Sequence, residues 1–235
     1  MRYNRDVDDA ARAIRSLVRG HGTATLTEAR RFRGAMTELD GYRLVQHRGT
    51  SGQPECALLV AANDFVRDLG PIQLGNVPIP RRGGWFTYAA GAVTRSRGGI
   101  LGIHMPSGVE GRTGFRDDHP GQVRAYRAAI GALRQYVAEH PDVNEIWADW
   151  NLDARLPWVR AYLGRHFPEF WILAPDSGTH GPRVIDYALI RKGNGDWSAE
   201  TVPNPASDHE AVIAERGVEY TDLGGGGQGE ERRGG

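Results

Sequence analysis

Apolar residues along this chain of 235 residues follow two spacings, one typical of helices and the other of strands. Three segments repeat apolar residues every three or four positions, which predicts helices over 6–20, 121–139 and 155–166. Short runs of β-prone residues, bounded by turn-forming residues, predict strands between them. The predicted strands cover 23–28, 42–47, 56–61, 71–74, 85–93, 99–104, 144–149, 169–173, 183–190 and 210–215.

The order of these elements predicts an α/β fold with mixed sheets. Strand pairs typical of hairpins occur in each half of the chain, and two packed mixed β-sheets flanked by helices would bury this many strands. We expect one catalytic domain over 1–220. The remaining segment, 221–235, is rich in glycine and predicted to be disordered, because it has too few apolar residues to bury a core.

Composition narrows the class of protein without identifying its activity. The formal net charge is zero, so no global basic field indicates a nucleic-acid binder, although local basic faces stay possible. Cys56 is the only cysteine, which excludes an internal disulfide. No signal peptide opens the chain, and no run approaches the roughly 20 apolar residues of a membrane helix. We therefore expect a cytoplasmic protein without a membrane segment, acting as a monomer.

Polar residues with catalytic potential lie where the chain leaves several predicted strands. Each is common alone as a surface or structural residue, but their joint occurrence favours one site. The run 184–190 is otherwise apolar, and its acid at Asp186 needs a partner because burying an unpaired charge is costly. The residues are Glu28, His104, Asp149, Asn151, Asp186, Asp208 and His209.

Two spacings among these residues carry chemical information. Asp208 and His209 follow a proline-broken loop, and an adjacent acid and imidazole are what a metal-assisted phosphoester hydrolase needs. Asp149 and Asn151 lie two positions apart, so on an extended segment their side chains share one face. The second pair would direct a carboxylate and a carboxamide into the same cleft, although the same spacing is also typical of an ordinary loop turn.

These pieces resemble the endonuclease/exonuclease/phosphatase superfamily, which includes deoxyribonuclease I-like nucleases, exonuclease III-like repair enzymes and inositol-phosphate phosphatases. The resemblance implies a four-layer α/β sandwich. The matching pieces are Tyr3-Asn4, Leu26-Thr27-Glu28, Ile103-His104-Met105-Pro106, Ala148-Asp149-Trp150-Asn151, Arg183-Val184-Ile185-Asp186-Tyr187 and Ser207-Asp208-His209.

The resemblance also implies a divalent metal site. Glu28 and Asp208 would hold Mg²⁺, with Mn²⁺ as a possible substitute, since hard cations prefer carboxylate oxygen. Asn4 would help to position the metal or the phosphate. Asp149 would orient the attacking water or assist the metal, and Asn151 would donate a hydrogen bond to the phosphoryl oxygens.

Two histidines are implied in proton transfer or phosphate contact. His209 would act as general base toward water, or would contact the phosphate, and Asp186 would hold its ring in one tautomer. His104 would contact phosphate and protonate the leaving oxygen.

The loop 106–120 after His104 is a candidate for substrate contact. Arg112 and Arg116 would follow a phosphate backbone, Phe115 would stack on a base, and Arg95 forms another nearby turn. The alternative is a solvated loop of mixed charge.

Three functions are compatible with the sequence. The leading hypothesis is a Mg²⁺-dependent nuclease that hydrolyses DNA phosphodiester bonds, with nucleic acid as its substrate. A phosphatase or phosphodiesterase for a small molecule or a lipid headgroup is the alternative. A catalytically silent binding protein of the same fold is opposed by the intact set of acids and imidazoles.

Overall fold

The structure, a computed structural model, describes residues 7–18, 22–27, 41–46, 56–77, 85–205 and 207–217. Its helices are α1 (Val7–Val18), α2 (Pro120–Glu139) and α3 (Pro157–His166). The strands are β1 (Thr23–Thr27), β2 (Tyr42–Val45), β3 (Cys56–Ala61), β4 (Phe65–Asp68), β5 (Ile72–Val77), β6 (Trp85–Thr94), β7 (Gly98–His104), β8 (Val143–Asp149), β9 (Phe170–Leu173), β10 (Asp186–Arg191), β11 (Trp197–Val202) and β12 (Ala211–Arg216).

The largest sheet has seven strands in the order β4-β6-β7-β8-β10-β9, with β5 also paired to β6. β7 and β8 are parallel and are joined through α2, whereas the other pairings are antiparallel, so the sheet is mixed. A three-stranded antiparallel sheet has the order β1-β3-β2, and β11 pairs with β12 in a separate hairpin.

The two larger sheets pack face to face and helices cover their outer faces. Leu58 of β3 packs with Ala92 of β6 and Ile100 of β7 between the sheets. Ile14 and Val18 of α1 pack on the other face of the three-stranded sheet. The seven-stranded sheet buries its opposite face against α2 and α3. This arrangement of helix, sheet, sheet and helix confirms the predicted four-layer α/β sandwich.

Helix α2 shows how the apolar spacing specifies this packing. Proline at its first position has no amide hydrogen that needs a partner, so it favours the helix start. Its buried face repeats apolar residues at helical spacing and lies against the seven-stranded sheet. The residues of this face are Val123, Ala125, Tyr126, Ala129, Ile130, Leu133 and Val137.

The structure corrects three details of the predicted elements. β4 and β11 were not predicted, because neither strand has a buried face: β4 exposes all but its first residue, and β11 alternates between half-buried and exposed positions along much of its length. The predicted strand 183–190 begins only at Asp186. The predicted tail 221–235 lies outside the described residues. No helix in the described ranges has both the length and the apolar character needed to span a bilayer.

Candidate active site

Three strand ends meet at one edge of the seven-stranded sheet. In the parallel ladder His104 of β7 pairs with Asp149 of β8, and in the antiparallel ladder Asp149 pairs with Asp186 of β10. Strand neighbours lie about 4.8 Å apart, so the ladder places an imidazole and two carboxylates side by side. The sequence predicted His104 and Asp149 at strand ends and Asp186 within the apolar run 184–190, and the strand order brings the three residues together.

His209 joins this row from the loop before β12. Its Nδ1 lies 2.9 Å from Asp186 Oδ2, which gives Asp186 the partner that its position demands. Burial of the imidazole disfavours the cation, but the hydrogen bond with Asp186 and the charges of Asp186, Asp149 and Asp208 outweigh it and raise the pKa of His209 to about 9. His209 is therefore an imidazolium at neutral pH in the metal-free chain.

Asp149 is the buried carboxyl of the row, with 4% of its surface exposed. Burial, followed by the negative charge of Asp186, raises the pKa of Asp149 to about 6. The charges of His104 and His209 and the hydrogen bond from the Asn151 amide act in the opposite direction. His104 Nε2 lies 3.6 Å from Asp149 Oδ2. Because Asp149 is buried and lies beside the Asp186 carboxylate, a positive charge between the two side chains is strongly favoured.

Asn151 is held in a strained conformation beside Asp149. Its φ of 52° lies in the left-handed region, so the extended geometry predicted through Asn151 is wrong. The Asn151 amide donates to Asp149 Oδ1 at 2.9 Å, and Asn151 Nδ2 donates to the Met105 carbonyl at 2.9 Å. Between the two polar residues, the fully buried Trp150 donates from Nε1 to the Tyr187 carbonyl. The buried indole anchors this turn in the core, and the Asn151 amide is hydrogen-bonded to the Asp149 carboxylate.

Thr179 connects the loop before β10 with the loop that carries His209. Its hydroxyl accepts from the amides of Ile185 and Asp186 at 3.0 and 3.1 Å, and its carbonyl accepts from the Glu210 amide at 2.7 Å. Thr179 has no exposed surface. No sequence pattern indicated Thr179, because the surrounding segment 177–182 has the composition of an ordinary turn.

Asp208 has a neighbour that the sequence did not indicate. Its side chain is 77% exposed, and its Oδ2 lies 3.7 Å from His180 Nε2. The His180 ring lies 4.6 Å from the His209 ring between centroids. Within the described residues, the ligand atoms that lie close enough to hold one cation belong to Asp149, Asp186 and His209, so Asp208 is beside this set and not within it.

A half-buried ion pair ties the loop after β7 to the loop before β10. Glu110 Oε1 lies 2.9 Å from Arg183 Nη2, and Arg183 Nη2 also donates to the Asn151 carbonyl at 3.3 Å. Glu110 Oε2 accepts from the Asp153 amide. The sequence did not indicate this pair, because Glu110 and Arg183 are far apart in the chain and only the fold brings them together.

The structure separates the three predicted substrate arginines. Arg112 is exposed in the loop after β7. Arg116 donates from Nε to Asp118 at 2.9 Å, so an acid already faces its guanidinium. Arg95 lies in the turn before β7, at the opposite end of that strand from His104. Seven residues of strand separate them by roughly 20 Å, so the structure does not bring Arg95 to the site.

Phe115 is also placed differently from the prediction. Its ring packs at 5.0 to 5.7 Å from the rings of Tyr126, Trp158 and Tyr162, and Arg127 lies over it. Phe115 therefore fastens the loop to α2 and α3, and its faces are already occupied.

The residues present fit a divalent cation. Asn4 and Glu28, two of the predicted metal ligands, lie outside the described residues. Among those described, Asp149 and Asp186 supply the hard oxygen donors that Mg²⁺ and Mn²⁺ prefer. Burial and then the charge of Asp186 raise the pKa of Asp149, and a bound cation would oppose both effects.

No family model matches this chain, and no curated protein matches it in sequence. Solved structures do match. The human Nocturnin catalytic domain with bound sulfate has a TM-score of 0.61 at 11% identity, over 90% of this chain and 86% of that chain. The Bacteroides thetaiotaomicron mannosyl-6-phosphatase has a TM-score of 0.60 at 13% identity, over 90% and 92%.

An endonuclease/exonuclease/phosphatase family protein from the same bacterium has a TM-score of 0.58 at 13% identity, over 88% of each chain. At these identities the likeness establishes the fold. The fold implied by the sequence motifs is confirmed.

Proposed function

We propose that this chain, which has the fold of endonuclease/exonuclease/phosphatase proteins, is a metal-dependent phosphoesterase. The observation that carries the proposal is the row of His104, Asp149 and Asp186 on three neighbouring strands, extended by the hydrogen bond that His209 donates to Asp186. A carboxylate pair with one buried member, beside two imidazoles, is suited to hold a cation and an oxyanion together.

Each residue of the row has a distinct proposed role. Asp149 holds the cation or orients the attacking water through its oxygens, and Asn151 donates to the phosphoryl group as charge builds there. Asp186 holds the His209 ring by Nδ1, which leaves Nε2 for the substrate. His104 contacts the phosphate and protonates the leaving oxygen. When bound, Mg²⁺ or Mn²⁺ neutralises phosphoryl oxygens and lowers the pKa of water.

The pKa of His209 bears on the choice between its two predicted roles. With a pKa of about 9, the ring carries its proton at neutral pH and can donate to a phosphoryl oxygen. It accepts a proton from water only after losing its own. The phosphate contact is therefore the role that the metal-free chain favours, and the general-base role requires a lower pKa.

A nuclease acting on DNA is the leading substrate hypothesis, and Glu28, Asp208 and Asn4 remain its proposed metal ligands. A phosphatase or phosphodiesterase for a smaller phosphoester is the second candidate. The contacts of Phe115 favour it, because the ring proposed to stack on a base packs against Trp158 and Tyr162 within the protein. The fold neighbour named mannosyl-6-phosphatase supports it too.

A substrate panel tests both candidates. We would incubate the protein with plasmid, labelled DNA and RNA oligonucleotides, sugar phosphates and inositol phosphates, each with Mg²⁺, Mn²⁺ or EDTA. Asp149→Asn and His209→Ala serve as matched inactive variants. Metal-dependent cleavage of DNA would support the nuclease if its rate falls about 100-fold or more in both variants. Release of phosphate from the small esters alone would refute the nuclease, and no hydrolysis anywhere would refute the phosphoesterase.

We also propose that the protein is a monomer and that it lies in the cytoplasm. Light scattering of the purified full chain and fractionation of the source cells test them separately.

A further inference from the structure

His180 lies at the mouth of the candidate site on a rigid piece of loop. The amides of Thr179 and His180 donate to the Arg183 carbonyl at 2.8 and 3.0 Å. The Thr179 side chain and carbonyl join the same turn to Asp186 and to Glu210. The backbone of His180 is therefore fixed both to the strand that carries Asp186 and to the residue after His209.

The His180 side chain extends from this anchor along His209. The two ring centroids are 4.6 Å apart with the planes inclined by 44°. His180 Nε2 lies 3.7 Å from Asp208 Oδ2, which is longer than a hydrogen bond. The side chain is 41% exposed, against 25% for His209, so His180 forms the outer wall and His209 the inner one.

The negative charge at this edge of the site gives a second imidazole a role in binding phosphate. Asp149, Asp186 and Asp208 repel a phosphate anion as it approaches. The Arg183 guanidinium is already paired with Glu110. An imidazole carries at least one N–H in either protonation state, so His180 can donate to an anionic oxygen without replacing any partner held within hydrogen-bond distance.

We propose that His180 is a further substrate-binding residue that donates a hydrogen bond to a non-bridging oxygen of the phosphate beside His209. The inference rests on the proposed phosphoesterase function and adds a residue that neither the strand-end pattern nor the family motifs include. His180 contacts the substrate from the solvent side, so its contribution is expected in binding and not in the chemical step.

Phosphate binding by the full-length protein tests this without requiring turnover. Inorganic phosphate is titrated into the full-length protein in the presence of Mg²⁺ while the imidazole resonances are followed by nuclear magnetic resonance. The His180 resonance is assigned as the one that disappears in the His180 variants. We expect the His180 resonance to shift and saturate, and His180→Ala and His180→Phe to weaken binding about 10-fold, the loss of one hydrogen bond to a charged group. His140→Ala, at the far end of α2, is the matched control and should bind as the parent does.

The two substitutions separate donation from packing. Phenylalanine keeps an aromatic ring against His209 but has no nitrogen. If His180→Phe binds phosphate as the parent does while His180→Ala does not, ring packing is the whole contribution and the proposal is overturned. A parent protein that binds no phosphate, or two variants that bind it normally, overturns it as well.

Kinetics on the substrate identified by the panel give the second readout. Both His180 variants should raise KM about 10-fold with little change in kcat, because a contact made equally in ground and transition states affects binding alone. A loss in kcat with unchanged KM contradicts the inference. Phosphate binding through His180 in a chain that hydrolyses no ester would leave the inference standing and refute the proposed function.

Discussion

Asp149 and Asp186 place two carboxylates opposite each other on neighbouring strands, one of them almost without water. Burial and the neighbouring charge raise the pKa of Asp149 to about 6. Between about pH 4 and pH 6 the folded chain consequently holds a proton there that the unfolded chain has released, and losing this proton as the pH rises destabilises the fold. The metal-free site thus stores electrostatic repulsion, a common property of groups placed for chemistry.

The substitution Asp149→Asn should therefore stabilise the metal-free protein at high pH. Asparagine retains the acceptor for the Asn151 amide but has no charge. Because a raised carboxyl pKa lowers stability as pH rises from about 4 to about 6, the variant should exceed the parent by about 1–3 kcal/mol at pH 8 and match it near pH 4.

Urea denaturation in EDTA at both pH values measures this difference. The same variant should be inactive in the substrate panel, so stability and activity move in opposite directions. Equal stability of the two proteins at pH 8 would contradict the electrostatic explanation.

The pair formed by Asp186 and His209 has the opposite dependence on pH. The pKa of His209 is raised from 6.5 to about 9, so its stabilisation is complete below the unfolded value and is lost as pH rises through 9. The parent should lose about 1–3 kcal/mol of unfolding free energy between about pH 6.5 and pH 10 through this pair, and Asp186→Asn should lack most of that slope.

Nuclear magnetic resonance titration of the His209 ring checks the cause directly. In Asp186→Asn the pKa of His209 should fall toward or below 6.5, because burial then acts with less opposing charge. A His209 that still titrates near 9 in the variant would assign the shift to Asp149 and Asp208 instead.

The loops around the candidate site are fixed to the strands by a few side-chain contacts. The loop after β7 is joined by the pair of Glu110 and Arg183 and by the aromatic contacts of Phe115. The loop before β10 is joined by Thr179. These contacts hold the residues around Asn151 in a conformation that local sequence preference disfavours.

Glu110 offers a test of this arrangement, because it accepts both from Arg183 and from the Asp153 amide. Glu110→Ala should cost about 1–3 kcal/mol of unfolding free energy, since a buried amide is left unsatisfied. Glu110→Gln keeps an acceptor and should cost less than about 1 kcal/mol.

Chemical denaturation gives the two free energies, and hydrogen exchange of the Asp153 amide reports the local opening. Faster exchange in Glu110→Ala than in Glu110→Gln is expected. Equal exchange in both variants would show that the hydrogen bond to Glu110 does not protect this amide.

The whole molecule depends on a close approach of its two larger sheets. Gly102 of β7 lies at this interface, and a Cβ there would come within 2.7 Å of Thr25 and 3.0 Å of Leu58. The two sheets can therefore pack this closely because Gly102 has no side chain.

Gly102→Ala should therefore destabilise the protein by about 1–3 kcal/mol through overpacking. Gly131→Ala is the matched control, because a Cβ on this helical glycine meets nothing within 4 Å and alanine is the better helix former. Thermal unfolding of the two variants should shift in opposite directions. A neutral Gly102→Ala would show that the sheets can separate without loss.

Sequence pattern succeeded where a residue's environment depends on its near neighbours in the chain. The inner face of α2 and the strand ends at His104 and Asp149 follow from spacing alone. It failed for β4, which has no buried position, and for Asn151, whose left-handed φ accompanies hydrogen bonds to Met105 and from Arg183, both far away in the chain.

The amino-acid sequence alone determined the fold class and the residue types of the candidate site, because apolar spacing specifies helices and strands and the motifs retain their order. Only the tertiary structure decided which of these residues meet. Strand order brings His104, Asp149 and Asp186 into one row, places His180 beside His209, and separates Arg95 from them by the length of β7. Pairing of distant strands depends on the packing of the whole chain, and no local spacing records it.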